Sequence, residues 1–354
     1  MTEISVPKGL VGVIVDKTAI GTTDAEGNLV YRGYKTVDLV NKKTFEEVAY
    51  LVVHGDLPDS DQLKDFNEML VKNGDIDSKV LKIIDLLKEK DLMKNLRSII
   101  SLYPYRAQDS AHMLPEIISK VPGIIAHSYA VETGKAVGRS EAQTYSGRFY
   151  QMITGNTDAR KSQFLSKLMI LYMEHEFNAS TFVLRVAAST LTDPASAFTS
   201  ALGTLKGPLH GGANAEILDF FKSFRNEDEA VKFVDTQLES GKKVMGFGHR
   251  VYKQKDPRAQ LVKQLMKELN PNSKELRIAE AIEARVWEKK HLPANLDFYA
   301  AILMDQLGIP QDLYTAIFAA ARVFGWWAHY EEQLRDNKLI RPSSEYVGPK
   351  DRVL

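Results

Sequence analysis

The stretch TFEEVAYLVVHG, Thr44–Gly55, decides the fold class. Thr44 offers a hydroxyl at an N-cap, Glu47 stands three residues on where a capping box needs it, and Gly55 supplies the stop. The residues between them carry a helical pattern. Upstream, LVGVIVDKTAIGTTDAEGNLVYRGY (Leu10–Tyr34) places β-branched residues on both sides of an acid-and-glycine turn at Asp24–Asn28, which predicts a short β hairpin. Downstream the helical signal repeats. Leu63, Phe66 and Leu70 keep the spacing up to Gly74, and Val80, Ile84 and Leu87 continue it. Further helices are predicted over Glu116–Gly134, Gln163–Glu174, Asn178–Thr190, Ala215–Phe224, Ala259–Leu269, Ser273–Glu288 and Tyr314–Leu334. Breakers are expected at Pro122, Gly155, Pro194, Pro208, Pro257, Pro271, Pro293 and Pro310. The expectation is an all-α protein with a small N-terminal hairpin. Strand–helix alternation, the mark of a doubly wound sheet, is missing.

A chain of 354 residues has room for one large or two unequal domains. The region from Gly212 to Gly308 is richer in lysine and acids than its flanks. It is expected to form a smaller domain (212–313) set between two parts of a larger one (1–211 and 314–354). Basic and acidic residues balance at 46 each, so a nucleic acid is not the expected partner. The absence of cysteine excludes disulfides, thiol nucleophiles, haem attachment and thiolate-bound zinc. MTEISVPKGL has no signal pattern and no apolar run reaches bilayer length, which predicts a soluble, cytoplasmic protein with no membrane partner.

Chemistry concentrates in a few loops. VMGFGHRVYKQKDPRAQ (Val244–Gln260) sets two glycines around Phe247, then His249 and Arg258 among lysines. KGPLHGGANAE presents His210 after a proline, EHEFNAST carries His175, and NLDFYAA puts Asp297 at the start of a predicted helix. Arg322 and Arg341 follow in AARVFGWW and LIRPSSEY. His54, His112, His127 and His329 are read as ordinary core or surface histidines with one hydrogen bond each. GFGHRV lacks the third glycine of a dinucleotide fingerprint, HEFNA has Ala179 where a zincin needs histidine, and there is no lysine-ended phosphate loop. No metal and no resident cofactor are expected. Two loop histidines, a carboxylate and three arginines suit proton abstraction beside a carbonyl, stabilisation of the resulting enolate, and clamping of a di- or tricarboxylate. Carbon–carbon bond formation on a multiply anionic acid is the reading these residues carry unaided.

In those same motifs the sequence resembles the citrate synthase family, in the short form common in archaea and many bacteria. GLVGVIVDKTAI, VYRGYKTVDL, HEFNAST, GPLHGGANAE, GFGHRVYKQKDPRA, NLDFYAA and ARVFGWWAHYEEQ occur in the family's order along nearly the whole chain. The resemblance implies a helical homodimer whose two domains close over the site. It assigns His210 to the thioester carbonyl of acetyl-CoA, Asp297 to the methyl proton, and His249 to the ketone of oxaloacetate. His175, Arg258, Arg322 and Arg341 become oxaloacetate contacts, Arg341 from the partner subunit. Val244, Met245, Gly246, Phe247 and Gly248 become the coenzyme A loop, with nearby lysines facing its phosphates. Two places depart from the family: Ala300–Ala301 stand where serine–glycine is frequent, and MKNLRSIISLYPYRAQDSAHM fits loosely. The alternatives are a 2-methylcitrate synthase using propionyl-CoA, a non-catalytic acyl-CoA-binding dimer and a metal hydrolase. The last lacks a ligand pattern.

Overall fold

The structure, a computed structural model, describes residues 7–87, 91–106, 109–211, 214–248, 252–349 and 352–353. Among them the fold is all-α apart from one small sheet. Strands β1 (Gly21–Thr23) and β2 (Leu29–Tyr31) form the predicted hairpin, and β3 (Tyr34–Lys35) adds a short third strand, all antiparallel. Asp24 closes the turn: its Oδ1 accepts from the backbone N–H of Glu26 (3.0 Å) and of Asn28 (2.8 Å).

Helices follow in sequence: α1 (Thr36–Lys42), α2 (Phe45–His54), α3 (Ser60–Lys72), α4 (Ser78–Leu87), α5 (Leu92–Leu102), α6 (Ser110–Thr133), α7 (Tyr145–Thr154) and α8 (Ala159–Tyr172). Then come α9 (Ala179–Ser189), α10 (Pro194–Leu205), α11 (Asn214–Lys222), α12 (Glu227–Glu239), α13 (Pro257–Leu269), α14 (Lys274–Lys290), α15 (Leu296–Gln306) and α16 (Tyr314–Arg335). The Thr44–Glu47 capping box is present, and Gly55 ends α2 in the left-handed region at φ 102°. Pro194 and Pro257 do not break helices. They begin them, where the missing N–H costs nothing.

Pro122 is a correction. It lies inside α6, which starts at Ser110 under an Asp109 cap and carries Pro115 as well. A proline inside a helix costs about 3 kcal/mol. Here Ile117, Ile118, Val121, Ile124 and Ile125, all fully buried, surround it. Burying five such side chains outweighs one lost hydrogen bond. The helices α1, α5, α7, α10 and α12 had no prediction. In α10 three of the seven buried residues are alanine, which weakens its periodic signal although Ala197, Phe198 and Ala201 are wholly buried.

Helix α16 is the central element. It is buried from Ala316 to Tyr330 and packs against α2, α6, α8, α9 and α10. Helices α11 to α15 pack largely on one another, and reach the rest through α8, α16 and α1. Past α16 the described chain has no regular secondary structure and is mostly exposed. It is pinned to α9 where the Ile340 N–H donates to Ser189 Oγ (3.0 Å).

Candidate active site

Three buried or half-buried side chains meet around the Phe318 ring. Tyr172, the last residue of α8, stacks on it with centroids 4.5 Å apart. His210 meets it edge-on at 6.0 Å, and the Arg322 guanidinium lies 4.8 Å above it. Phe318 and Arg322 are four residues apart on α16 and so share a face. The Tyr172 hydroxyl then donates to Asp297 Oδ1 (3.2 Å), bringing the carboxylate of α15 into the same group.

His210 stands in the turn after α10, where its N–H donates to Gly207 O (2.9 Å). Its Nε2 lies 2.8 Å from Ser180 Oγ, in the first turn of α9. Burial, with the Arg322 charge adding, pulls the His210 pKa down to about 4. The ring is therefore neutral near pH 7 and keeps one N–H. When Ser180 gives its hydroxyl proton to Nε2, that N–H sits on Nδ1 and can donate to a carbonyl oxygen. When Ser180 donates instead to Asn178 Oδ1 (2.9 Å), Nε2–H points at the hydroxyl. Because the folded state holds the pKa below the ordinary histidine value of 6.5, the unfolded chain binds more protons between about pH 4 and 6.5. Stability is thus expected to fall as pH drops through that window. The His210 ring should titrate near pH 4 in a nitrogen-15 histidine spectrum, and a midpoint above about 6 would remove the neutral-donor reading.

Arg322 is 2 % exposed. Its Nε donates to the Tyr172 carbonyl (2.7 Å), and its Nη1 has no hydrogen-bond partner among the described residues. Burial lowers its pKa to about 10, so it remains a cation at neutral pH. A buried guanidinium with a donor left over fits an anionic ligand.

Arg258 is held differently. Its Nε and Nη2 donate to Asp256 Oδ1 (3.0 Å) and Oδ2 (2.8 Å), and its guanidinium lies 5.1 Å over the Tyr252 ring. Burial works against its charge, but the Asp256 carboxylate more than offsets this and raises its pKa. Tyr252 in turn meets His175 edge-on at 5.7 Å, so His175, Tyr252 and Arg258 form a row. Asp256 Oδ2 also accepts from the Leu296 N–H (3.2 Å), which ties this row to the start of α15 beside Asp297.

The glycine loop is fastened to the same place. Gly248 N–H donates to Pro293 O (2.9 Å), Asn295 N–H donates to Gly246 O (2.9 Å), and Phe247 pairs with Ala294. Gly246 has φ 80°, and a Cβ on it would come 2.6 Å from the Phe298 ring, so only glycine fits. Val244–Gly248 is thereby one unit with the segment that presents Asp297. His249 lies outside the described residues. Arg341 stands apart from the buried group, exposed in the segment after α16.

Sequence reasoning missed Tyr172, Ser180, Asp256 and Phe318. Ser180 and Asp256 lay inside quoted motifs, and Phe318 stood one helical turn before Arg322. Tyr172 had no local signal at all.

The family model "Citrate synthase, C-terminal domain" matches residues 9–343. The chain belongs to the citrate synthase family. A citrate synthase of Haloferax volcanii is 37% identical, over 97% of this chain and 96% of that one. A 2-methylcitrate synthase of Shewanella oneidensis is 34% identical, over 97% and 95%. The crystal structure of citrate synthase from Thermotoga maritima superposes with a TM-score of 0.91 at 38% identity, covering 99% of this chain and 98% of that one. A citrate synthase from Thermoplasma acidophilum, in ternary complex with carboxymethyl coenzyme A and oxaloacetate, gives 0.89 at 31% identity, with the same coverage. The all-α expectation and the family resemblance hold. The chain is an enzyme, an acyltransferase of the citrate synthase family. Among the described residues no helix is long and apolar enough to cross a membrane, and no cluster of three or more His, Asp or Glu side chains could hold a metal.

Proposed function

We propose that this enzyme condenses acetyl-CoA with oxaloacetate and hydrolyses the resulting thioester to citrate and coenzyme A. The observation that carries the reading is the meeting of Asp297, neutral His210 and the spare donor of Arg322 around Tyr172 and Phe318. Asp297 removes a methyl proton of acetyl-CoA while Tyr172 holds its other oxygen. His210, with Nδ1–H, donates to the thioester oxygen as the enolate charge develops there. The enol carbon attacks the ketone of oxaloacetate, and His249 protonates the new alkoxide. Water then cleaves the citryl thioester. Arg258, Arg322 and His175 hold the oxaloacetate carboxylates, and Arg341 adds a contact from the partner of a homodimer. Val244–Gly248 carries coenzyme A, which enters and leaves as a co-substrate, with no cofactor held permanently. The smaller domain (212–313) closes on the larger one (1–211 and 314–354) to keep water out while the enol exists. Its location is the cytoplasm.

Support for the dimer comes from Leu10, Val11, Val13 and Ile14, exposed to 45, 63, 45 and 90 %. A run of apolar residues left so open at one end of a chain suits burial against a second copy. Relatives of both activities match at similar identity, so propionyl-CoA is the competing acyl donor. One methylene in an apolar pocket is worth only about 1–3 kcal/mol.

The test is oxaloacetate-dependent thiol release from acetyl-CoA and from propionyl-CoA, followed with a thiol-reactive dye. With no cysteine in the chain, all the thiol is coenzyme A. A kcat/KM favouring acetyl-CoA is expected. A propionyl preference would make it a 2-methylcitrate synthase, and no release with either would leave an acyl-CoA-binding dimer.

A further inference from the structure

Behind the site lies a second, wholly buried set of charges. Glu174, the residue before His175, is fully buried, as is His329 of α16, and Arg185 of α9 is 2 % exposed. His329 was expected to be an ordinary histidine with one hydrogen bond, yet both its ring nitrogens are engaged. Nε2 lies 3.0 Å from Glu174 Oε1, and Nδ1 lies 3.2 Å from Arg185 Nη1. A guanidinium can only donate, so Nδ1 accepts and the ring proton sits on Nε2, directed at Glu174. Arg185 is itself spoken for at its outer end, by Glu332 Oε2 (2.7 Å) and Asp16 Oδ2 (3.3 Å).

Glu174 therefore accepts that hydrogen bond on Oε1 and has its second oxygen left for another partner. Its Oε2 has no hydrogen bond among the described residues, which is also the condition of Arg322 Nη1. The two face one stripe of α16. Arg322, Gly325 and His329 fall three and seven residues apart, on one side of the helix. A Cβ on Gly325 would lie 2.7 Å from Glu174 Oε2, so the carboxylate rests against the helix one turn from Arg322. The peptide that carries it is fixed too, because its N–H donates to the Tyr31 hydroxyl (3.2 Å) and that hydroxyl donates to its carbonyl (3.0 Å) or to Ile170 O (3.0 Å). The Glu174 charge also opposes the loss of charge that burial imposes on Arg322.

We propose that Glu174 is a positioning residue for the reaction: a buried counter-charge that His329 and Arg185 hold in place, which balances Arg322 and competes with the substrate carboxylate for it. The inference rests on the reading of Arg322 as a clamp for oxaloacetate. A buried cation with no counter-charge is costly to the ligand-free enzyme. A counter-charge also weakens anion binding, and weakens it most for the product, which has one carboxylate more than oxaloacetate. The arrangement gives up affinity and favours release.

The experiment is calorimetric oxaloacetate binding by the full-length wild type, Glu174→Gln and Glu174→Asp, with the KM for acetyl-CoA measured alongside. Glutamine keeps the shape and the acceptor for His329 but removes the charge. Its Kd for oxaloacetate should fall about fivefold or more, with the KM for acetyl-CoA unchanged. Aspartate keeps the charge, so its Kd should stay at or above the wild-type value; this arm decides if the glutamine variant does not fold. A purely structural Glu174 would give an equal or weaker Kd with glutamine, and that result, or tighter binding by the aspartate variant, overturns the inference. If the wild type binds no oxaloacetate, the substrate reading falls and this inference goes with it. Unchanged affinity in a folded glutamine variant sinks the counter-charge alone.

Discussion

Asp297→Asn is expected to lower kcat by about a thousandfold, within the range that general-base catalysis supplies. The amide matches the carboxylate in shape and can still accept from the Tyr172 hydroxyl, now 3.2 Å from Oδ1. The cap from Asn295 Oδ1 to the Phe298 N–H (3.3 Å) and the Asp256 contact to the Leu296 N–H (3.2 Å) do not involve the Asp297 side chain, so α15 should start where it does now. What is lost is the ability to take a proton. Oxaloacetate binding, which falls to the arginines and histidines, should change little. Single-turnover thiol release together with calorimetry separates the two effects. A variant that keeps its turnover would transfer the base role to another group, and one that loses oxaloacetate affinity as well would make Asp297 a binding residue.

The second large effect is on stability. Gly325→Ala would place a Cβ 2.4 Å from Met173 O and 2.7 Å from Glu174 Oε2. Neither neighbour can move freely, since the Glu174 backbone is held by the Tyr31 hydroxyl and its side chain by His329. Overpacking of this kind costs about 3 kcal/mol, and the better helix propensity of alanine returns about 1 kcal/mol. A net loss of about 2 kcal/mol should lower Tm by about 3 °C in a chain of this length. Gly203→Ala in α10 is the control, because a Cβ there meets only Arg97 atoms at 3.6 Å and beyond. Equal Tm shifts in the two variants would refute the close approach of α16 to the 173–174 peptide. The Gly325 variant should also weaken oxaloacetate binding, since the same peptide leads into His175.

Local features were legible in the residues because their physics is local. The Thr44–Glu47 box, the Gly55 stop and the Asp24–Asn28 turn each depend on atoms within four residues, and each formed as expected. Pro122 misled for the opposite reason. Its cost is local, but the burial that outweighs it comes from the side chains packed along α6 and its neighbours. Among the helices without a prediction, α10 buries Ala195, Ala197 and Ala201, small residues whose burial is decided by what packs on them.

The candidate site divides in the same way. The sequence alone determined which groups could do chemistry: His210 and His175 in loops, Asp297 at a helix start, Arg258 after its proline, and two glycines that let backbone approach a ligand. Only the tertiary structure decided that α8, α9, α15 and α16 bring Tyr172, Ser180, Asp297 and Phe318 together, and that burial leaves His210 neutral and Arg322 charged with a donor to spare. It also turned Glu174 and His329 from background residues into a counter-charge for the site. Residue type fixes what a side chain can donate, accept or ionise. Protonation at a given pH and hydrogen bonds left unused depend on desolvation and on neighbours more than a hundred residues away, and folding alone sets those.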